Sequence, residues 1–230
     1  AIERRDLGRM RAAGPVAVWF LMTDAQRKQA MLSVCRDSTA SATTGVRMVQ
    51  LMLDAGFENY ADERKSCFGY LATRGWASAV AAMLAKGFQP GTRHPPDGHT
   101  PLWWAVANGR TTTVELLLGT GPLWDALPDN IKNSTGPEQT VLQLREVFPP
   151  SLPNVQPPAT LIQLAARATS RFGALKLLCS AMDDYNIALP GFLDHPDTLR
   201  MVYVGGDDAF LEACKRGRVE VAKLLMTTLG

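Results

Sequence analysis

The chain has 230 residues, of which 46% are hydrophobic and 20% charged, and these values are typical of a globular protein and unlike those of a disordered chain. Its 24 basic and 22 acidic side chains leave a net charge of +2, which is too small to indicate nucleic-acid binding, so no nucleic-acid partner is expected. No apolar run reaches the roughly 18 residues that a membrane-spanning helix requires, so no membrane span is expected either.

The first apolar stretch, GPVAVWFLMT at residues 14–23, follows the basic stretch RRDLGRMR at residues 4–11. A basic segment before a short apolar one is also the pattern of a signal sequence. We favour instead a partial helical repeat, because the stretch fits a period that continues along the chain. Since the chain lacks an initiating Met, we interpret it as a piece of a longer protein.

Short apolar helical patterns recur along the chain at a nearly constant spacing. Their last strong apolar residues are Met22, Leu53, Leu84, Leu118, Cys179 and Met226, which gives successive gaps of 31, 31, 34, 61 and 47 residues. The gap of 61 is close to two periods, so we expect a degenerate unit that ends at Phe148 to lie between its neighbours. Each pattern follows a shorter helical stretch that ends near glycine or another small residue. Two short helices per unit predict a helical solenoid.

One unit, DGHTPLWWAVANGRTTTVELLLGTG at residues 97–121, resembles an ankyrin repeat. Two further stretches are similar to the same pattern: TLIQLAARATSRFGALKLLCSA at residues 160–181 and DAFLEACKRGRVEVAKLLM at residues 208–226. The resemblance implies an all-α fold, a solenoid of about six to seven stacked helix-turn-helix repeats with long inserted loops. It also implies a non-catalytic module that binds a protein or peptide through its concave face and finger loops.

The resemblance divides residues 1–230, a single ankyrin repeat domain, into units. A partial repeat at 1–24 precedes repeats at 25–57, 58–88 and 89–121, a degenerate repeat at 122–148, a proline-rich connector at 149–158, a repeat at 159–181, an insertion at 182–206 and a C-terminal repeat at 207–230. The connector cannot be helical, because proline lacks an amide proton and clashes with the preceding turn. We expect LPDNIKNSTGP, at residues 127–137, to be loop in place of a first helix, and the insertion to be a long loop.

The clearest unit contains the local signals of two helices. Thr100 can cap the first helix with its hydroxyl, and Pro101 suits the first helical position. After the two helices, Gly109 and Gly121 are predicted to adopt the left-handed backbone that costs glycine little. The predicted core residues are the stripe Leu102, Ala105 and Val106 and the layer Val114, Leu116, Leu117 and Leu118.

The four cysteines, Cys35, Cys67, Cys179 and Cys214, lie far apart, each within an apolar helical pattern. None forms a CxxC pair or lies beside a histidine at metal-binding spacing. We interpret all four as small hydrophobic residues with free thiols. This favours a reducing, intracellular location in the cytoplasm or nucleus.

Trp103 and Trp104 are neighbours on a helix, so their side chains point about 100° apart and cannot both face one core. Trp104 points about 200° away from Leu102, which in the ankyrin pattern is toward the concave face, beside Tyr70 of the preceding unit. Exposed Trp and Tyr are enriched among residues that dominate binding energy. We expect Trp104 to contact a partner or, alternatively, to be covered by another segment of the chain. Trp103 is expected to be partly buried against the finger loop.

The variable residues before each turn are expected to line the same surface. They are Arg36, Asp37, Thr73, Arg74, Ala107, Asn108, Arg167, Ala168, Lys215 and Arg216, of which five are basic and one is acidic. Such a strip suits an acidic peptide or protein surface, although an ordinary solvated edge has a similar composition. The predicted partner-binding residues are Tyr70, Arg74, Trp104, Asn108, Arg167, Lys215 and Arg216, with His94 and His99 at the tip of a finger loop.

No catalytic residue, metal site or cofactor is predicted. The three histidines have no metal-binding partner at helical spacing, and the carboxylate pairs at residues 183–184 and 207–208 lack further oxygen ligands at defined spacing. No nucleophile elbow, phosphate loop or dinucleotide-binding fingerprint is present. The sequence favours a non-enzymatic binding module. The alternatives are a regulatory or scaffolding arm of a larger enzyme or effector, and a domain that holds a small phosphorylated compound.

Overall fold

The structure, a computed structural model, describes residues 22–36, 41–56, 61–93, 98–134, 143–144, 161–166, 169–188 and 213–229. Its helices are α1 (Asp24–Arg36), α2 (Ala42–Asp54), α3 (Ala61–Arg74), α4 (Ala77–Ala85), α5 (Pro101–Ala107), α6 (Thr111–Leu117), α7 (Pro122–Asp125), α8 (Asp129–Ser134), α9 (Leu161–Ala166), α10 (Phe172–Ala188) and α11 (Val219–Leu229), with a 3₁₀ turn at Thr169–Arg171. These residues contain no β-strand, so the described part of the chain is all-α. None of these helices is long and apolar enough to cross a membrane.

The helices form pairs that are arranged in two rows. Within a pair the chain turns back on itself: α1 packs on α2, α3 on α4, α5 on α6, and α9 on α10. The first helices contact one another in the order α1, α3, α5, α9, and the second helices in the order α2, α4, α6, α10. Positions about one repeat period apart in sequence are therefore brought together from one pair to the next.

The core lies between the two rows. The predicted stripe of α5 is confirmed, because Leu102, Ala105 and Val106 have no exposed surface. The predicted layer is confirmed as well, since its members are at most 4% exposed: Val114, Leu116, Leu117 and Leu118. Burying an aliphatic side chain of this size contributes about 1.5–3 kcal/mol, so the α5–α6 pair is firmly anchored in the stack.

The local signals around α5 and α6 act largely as predicted. Thr100 Oγ1 accepts a hydrogen bond from the Trp103 amide at 3.3 Å, and Pro101 is the first residue of α5. Gly109 adopts a φ of 64° in the turn between the two helices, which is the left-handed region. Gly121 also has a positive φ of 84°, but its ψ of 172° is extended and it precedes α7. The glycine that follows α6 directly is Gly119, so the second cap lies two positions before the predicted one.

The expected degenerate unit does not lie between the units on either side of it. Helix α9 packs directly on α5, and α10 packs directly on α6. The approach is close, because a Cβ added to Gly109 would lie 2.6 Å from the carbonyl oxygen of Ser170. Helix α7 packs instead against α4 and α6. Across the gap of 61 residues the described helices thus advance by one helix pair, and not by two. Spacing alone does not distinguish these two cases.

Two segments expected to be loops are partly helical. Residues 129–134 form α8, whose start after Pro128 suits the fixed φ of proline. Helix α10 continues to Ala188, into the stretch at 182–206, because no proline or glycine interrupts it before Pro190 and residues that precede proline disfavour helix. The rest of that stretch, the connector at 149–158 and the apolar residues 14–21 lie outside the described residues.

Cys35 on α1 and Cys67 on α3 form a disulfide bond, with Cα atoms 5.3 Å apart. The expectation of four free thiols is therefore wrong for this pair. The two cysteines are 32 residues apart, about one repeat period, and stacking of the first helices brings such positions together. Cys179 is buried as expected, whereas Cys214 is exposed, and neither is disulfide-bonded. An intracellular location therefore stays a prediction that the cysteines no longer support.

Candidate functional site

Three rings form an aromatic cluster at the start of α5: His99, Trp103 and Trp104. The His99 and Trp103 rings are stacked, with centroids 3.9 Å apart and an angle of 9° between their planes. Trp104 meets both rings edge-on, with its centroid 4.8 Å from that of Trp103 and 5.9 Å from that of His99. Edge-to-face contacts of this kind add about 0.5–1.5 kcal/mol to the effect of burial, so the three rings support one another.

Trp103 is the member of the cluster that belongs to the core. Its side chain is only 5% exposed and is covered by the stacked ring of His99. The expected burial against the finger loop is confirmed, and it is nearly complete. The short helix fixes this orientation, because Leu102 and Val106 on the same helix face the core and leave Trp103 beside the incoming loop.

Trp104 has a different environment from its neighbour. It is half-buried, and its ring packs against the edge of the core through Trp103 and His99. These contacts restrict its rotation while part of the ring stays exposed. Contact with a partner therefore stays a prediction, and the internal contacts provide some of the cover that was the alternative.

His99 is not at an exposed loop tip, because it has no exposed surface. The finger loop closes just before it: Arg93 Nη1 donates a hydrogen bond to the Gly98 carbonyl at 2.7 Å, and Gly98 has a φ of 70°. This closure directs His99 inward onto Trp103, where it cannot contact a partner in this conformation. The prediction of an exposed binding position for His99 is wrong, and His94 lies outside the described residues.

A cation and an aromatic ring form a contact between the first and second helix pairs. The guanidinium carbon of Arg36, at the end of α1, lies 5.1 Å from the centroid of the Tyr70 ring on α3. Arg36 is exposed and Tyr70 is half-buried, so this contact lies at the surface of the first row. Cation–π contacts at exposed sites contribute about 0.5–1 kcal/mol, which is enough to favour this orientation of the arginine.

The same arginine lines a hollow of about 530 Å³ along one face of α1, which we call the α1 hollow. Its described lining consists of Ala25, Lys28, Gln29, Leu32, Ser33 and Arg36. These residues recur at intervals of three and four, so they share one side of the helix. Two of these lining residues are basic and none is acidic. The surface therefore combines positive charge with the apolar side chain of Leu32 and continues to Tyr70 through Arg36.

Other residues of the predicted strip have contacts that the pattern did not predict. The Arg74 guanidinium carbon lies 4.8 Å from the centroid of the Trp76 ring. Asn108 Nδ2 donates to the Trp104 carbonyl at 2.8 Å and thereby satisfies the end of α5. Lys215, at the end of a short helical segment, and Arg216, in the turn that follows it, are both exposed. Arg167 lies outside the described residues.

Sequence analysis missed Arg110, which links two helix pairs. Its Nε donates a hydrogen bond to the Thr73 carbonyl at 2.9 Å, so the turn after α5 satisfies a carbonyl in the last turn of α3. In the sequence, Arg110 is visible only as a basic residue directly after the turn glycine. Its acceptor, the Thr73 carbonyl, can be identified only when α3 and α5 are packed together. Among the described residues, no group of three or more His, Cys, Asp and Glu could hold a metal ion.

The two rows, the capped helix α5 and the glycine turn to α6 are the context for the comparison with known families. The ankyrin repeat family model matches residues 97–133. This chain carries an ankyrin repeat. The match includes α5 and α6 with the aromatic cluster, and it continues through α7 into α8. Ankyrin repeats are generally non-catalytic modules that bind other proteins. Comparisons with curated proteins and with solved structures gave no match.

Proposed function

We propose that this chain is a non-catalytic protein-interaction module, a solenoid of ankyrin repeats that binds its partner along the row of first helices. The proposal is supported by the ankyrin repeat at residues 97–133 and by the two rows of paired helices. In this view the pairs α1–α2, α3–α4, α5–α6 and α9–α10 are consecutive repeats, with α11 in a further one. Residues 122–158 are then an insertion and not a repeat.

We further propose that the partner is an acidic peptide or protein segment. The observation that carries this is the α1 hollow, in which Lys28 and Arg36 flank Leu32. The two basic residues are about 12 Å apart along the helix, at a rise of 1.5 Å per residue. An extended peptide advances roughly 3.3 Å per residue, so two carboxylates about four residues apart would match this spacing. An apolar side chain between them would meet Leu32.

Tyr70 and Trp104 are the proposed aromatic anchors of the same surface. Both are half-buried and packed against the core, so little side-chain freedom remains to be lost on binding. Immobilising a freely rotating side chain costs about 0.5–1.5 kcal/mol, and anchors that are already held avoid much of this cost. Arg36 extends the anchored surface from Tyr70 to the hollow.

The test is selection of peptides from a random displayed library on the immobilised chain, followed by affinity measurements. We expect enrichment of peptides with two carboxylates separated by about four residues around an apolar residue. Arg36→Gln should weaken their binding about tenfold, which corresponds to about 1.4 kcal/mol, a typical value for a charge-assisted contact. Lys223→Gln, which removes an exposed charge on α11, is the matched control and should leave affinity unchanged.

Raising the salt concentration should weaken binding of the selected peptides, because exposed charges are screened within about 10 Å at 0.1 M ionic strength. Enrichment of neutral or basic peptides, with affinities that neither salt nor Arg36→Gln alters, would contradict an acidic partner. Binding only to an adjoining domain of a longer protein would instead make the chain a regulatory arm of that protein.

A further inference from the structure

The disulfide bond between Cys35 and Cys67 joins two different helix pairs. Cys35 lies in α1 and Cys67 in α3, and their side chains are 1% and 0% exposed. The bond thus crosses the boundary between consecutive repeats and closes a loop that contains all of α2. A bond within one helical hairpin would restrain only that hairpin, whereas this one fixes the first pair on the second.

Helix α1 buries fewer of its side chains than α4, the second helix of the next pair. Only Met31 and Cys35 of α1 are buried. The shorter helix α4, by contrast, buries five residues: Ala77, Ala79, Val80, Met83 and Leu84. Since buried apolar surface is the main force between stacked repeats, α1 depends on the covalent link more than its neighbours do.

We infer that Cys35 and Cys67 form a redox-dependent lock that holds α1, and with it the α1 hollow, on the second helix pair. When the lock forms, the two thiols lose two protons and two electrons and the sulfur–sulfur bond is made. A small disulfide such as oxidised glutathione accepts them: a mixed disulfide forms on one cysteine with release of one glutathione thiol, and the second cysteine then displaces the other. Because both sulfurs are buried, this exchange occurs only while α1 is detached.

Reduction breaks the sulfur–sulfur bond, and the two sulfurs then move apart to van der Waals contact. Cys67 Sγ lies 3.6 Å from the Met31 carbonyl, so a thiol there has an acceptor within the reach of a sulfur hydrogen bond. Reduction therefore removes the covalent link and leaves the Cys67 thiol with an acceptor for its weak hydrogen bond. What changes is how often α1 opens, since only two of its side chains are buried.

The lock acts directly on the proposed binding surface. Arg36 follows Cys35 in sequence, lies over Tyr70 and lines the α1 hollow. Opening of α1 separates Arg36 from Tyr70 and divides the surface. This consequence for binding rests on the proposed function, whereas the lock itself does not.

The first test counts thiols on the full 230-residue chain after equilibration with oxidised glutathione. Unfolding in a maleimide reagent without reductant should label two of the four cysteines, Cys179 and Cys214, and peptide mapping should join Cys35 to Cys67. After treatment with dithiothreitol all four should be labelled. Four labels without reductant, or a different pairing, would overturn the inference.

The second test measures hydrogen exchange and thermal unfolding in the oxidised and reduced chain. Reduction should speed amide exchange in α1 at least tenfold while leaving α5 and α6 unchanged, and should lower Tm by roughly 10 °C. Cys35→Ser and Cys67→Ser should match the reduced chain and no longer respond to dithiothreitol. Cys179→Ser, the control, should respond as the natural sequence does. Because reduction needs no substitution, the test holds even if a variant folds poorly.

Equal protection of α1 in both redox states would overturn the lock even if the bond forms. Binding of the selected acidic peptides is the separate readout. If thiol counting and exchange agree with the inference but no acidic peptide binds in either state, the proposed function fails and the lock stands. If acidic peptides bind equally in both states and α1 exchange does not change, the lock fails and the proposed function stands.

Discussion

At the scale of single residues, Trp76 packs closely against Gly45 in the second row. Trp76 follows the turn after α3, is 7% exposed, and lays its ring against α2 at Gly45. A Cβ added to Gly45 would overlap that ring. Gly45→Ala should therefore lower the free energy of unfolding by about 1–3 kcal/mol, as overpacking does. In an ordinary helix interior the same substitution would raise it by up to roughly 1 kcal/mol.

Urea denaturation measures this effect, and the chain provides a matched control. Gly91 has open space around its Cβ position and no positive φ, so Gly91→Ala should change stability by less than about 0.5 kcal/mol. Shrinking the ring with Trp76→Leu should make Gly45→Ala less costly in the double variant than in the natural sequence. A stabilising Gly45→Ala would show that the two groups do not meet as described.

The two tryptophans of the aromatic cluster should respond differently to truncation. Trp103→Ala should lower the free energy of unfolding by about 3–5 kcal/mol, because a nearly buried ring is lost and His99 loses its stacking partner. Trp104→Ala should lower it by less, since that side chain is only partly buried, and should weaken peptide binding. Chemical denaturation and affinity measurements on both variants test this. Equal losses of stability with unchanged binding for Trp104→Ala would favour internal cover.

Helical spacing predicted the burial of Trp103 but not the burial of His99, whose ring stacks on it. The position of Trp103 on α5 follows from the 100° step between residues, once Leu102 is placed in the core. The inward turn of His99 depends on the closure of the finger loop by Arg93 and Gly98, which no local pattern encodes. The sequence did contain a signal for the burial of His99, namely the two adjacent tryptophans. The ring of Trp103 needs another flat group to cover it, and His99 provides that group.

At the scale of helices, the cap of α5 is a specific contribution of one side chain. Thr100 is 2% exposed, and its hydroxyl accepts the Trp103 amide proton. Thr100→Ala should therefore cost about 1 kcal/mol, the usual value for loss of a helix N-cap, as measured by urea denaturation. Thr112→Ala in α6 is the control: Thr112 is exposed, and alanine there should be neutral or slightly stabilising. Equal losses at both positions would contradict a capping role.

The helices that sequence predicted best are those in which several signals agree. In α5 and α6 the cap, the proline, the apolar stripe and the turn glycine all point to one structure, and the boundaries follow closely. In α8 the sequence DNIKNS has few apolar residues, and only Ile131 is buried, so no stripe announced a helix. For α10 the family pattern predicted too early an end, at residue 181, whereas neither proline nor glycine occurs between that residue and Pro190.

At the scale of the whole molecule, the ion pairs found among the described residues lie at the surface. In every ion pair of the described residues, one partner's side chain is at least 53% exposed. Exposed pairs contribute at most about 1 kcal/mol, so raising sodium chloride from about 0.05 to 0.5 M should change the free energy of unfolding by less than roughly 1 kcal/mol. Equilibrium denaturation at the two salt concentrations checks this. A much larger loss would indicate an ion-pair network that these pairs do not reveal.

The repeat period predicted a succession of helix pairs along the chain. It did not predict which residues of different pairs are in contact. Cys35 and Cys67 are far apart along the chain, but a separation of about one repeat period places residues side by side in stacked helices. The contact of α5 with α9 could not be predicted, because a gap of two periods has the same length whether it holds a repeat or an insertion.

The pairs α5–α6 and α9–α10 are in direct contact. The geometry of the stack therefore does not depend on the length of the chain between them. Doubling the length of a flexible loop costs only about 0.6 kcal/mol in closure entropy, whereas one residue added inside a helix would turn its apolar side away from its neighbours. We therefore expect sequence inserted between α8 and α9 to leave the helices on both sides in register.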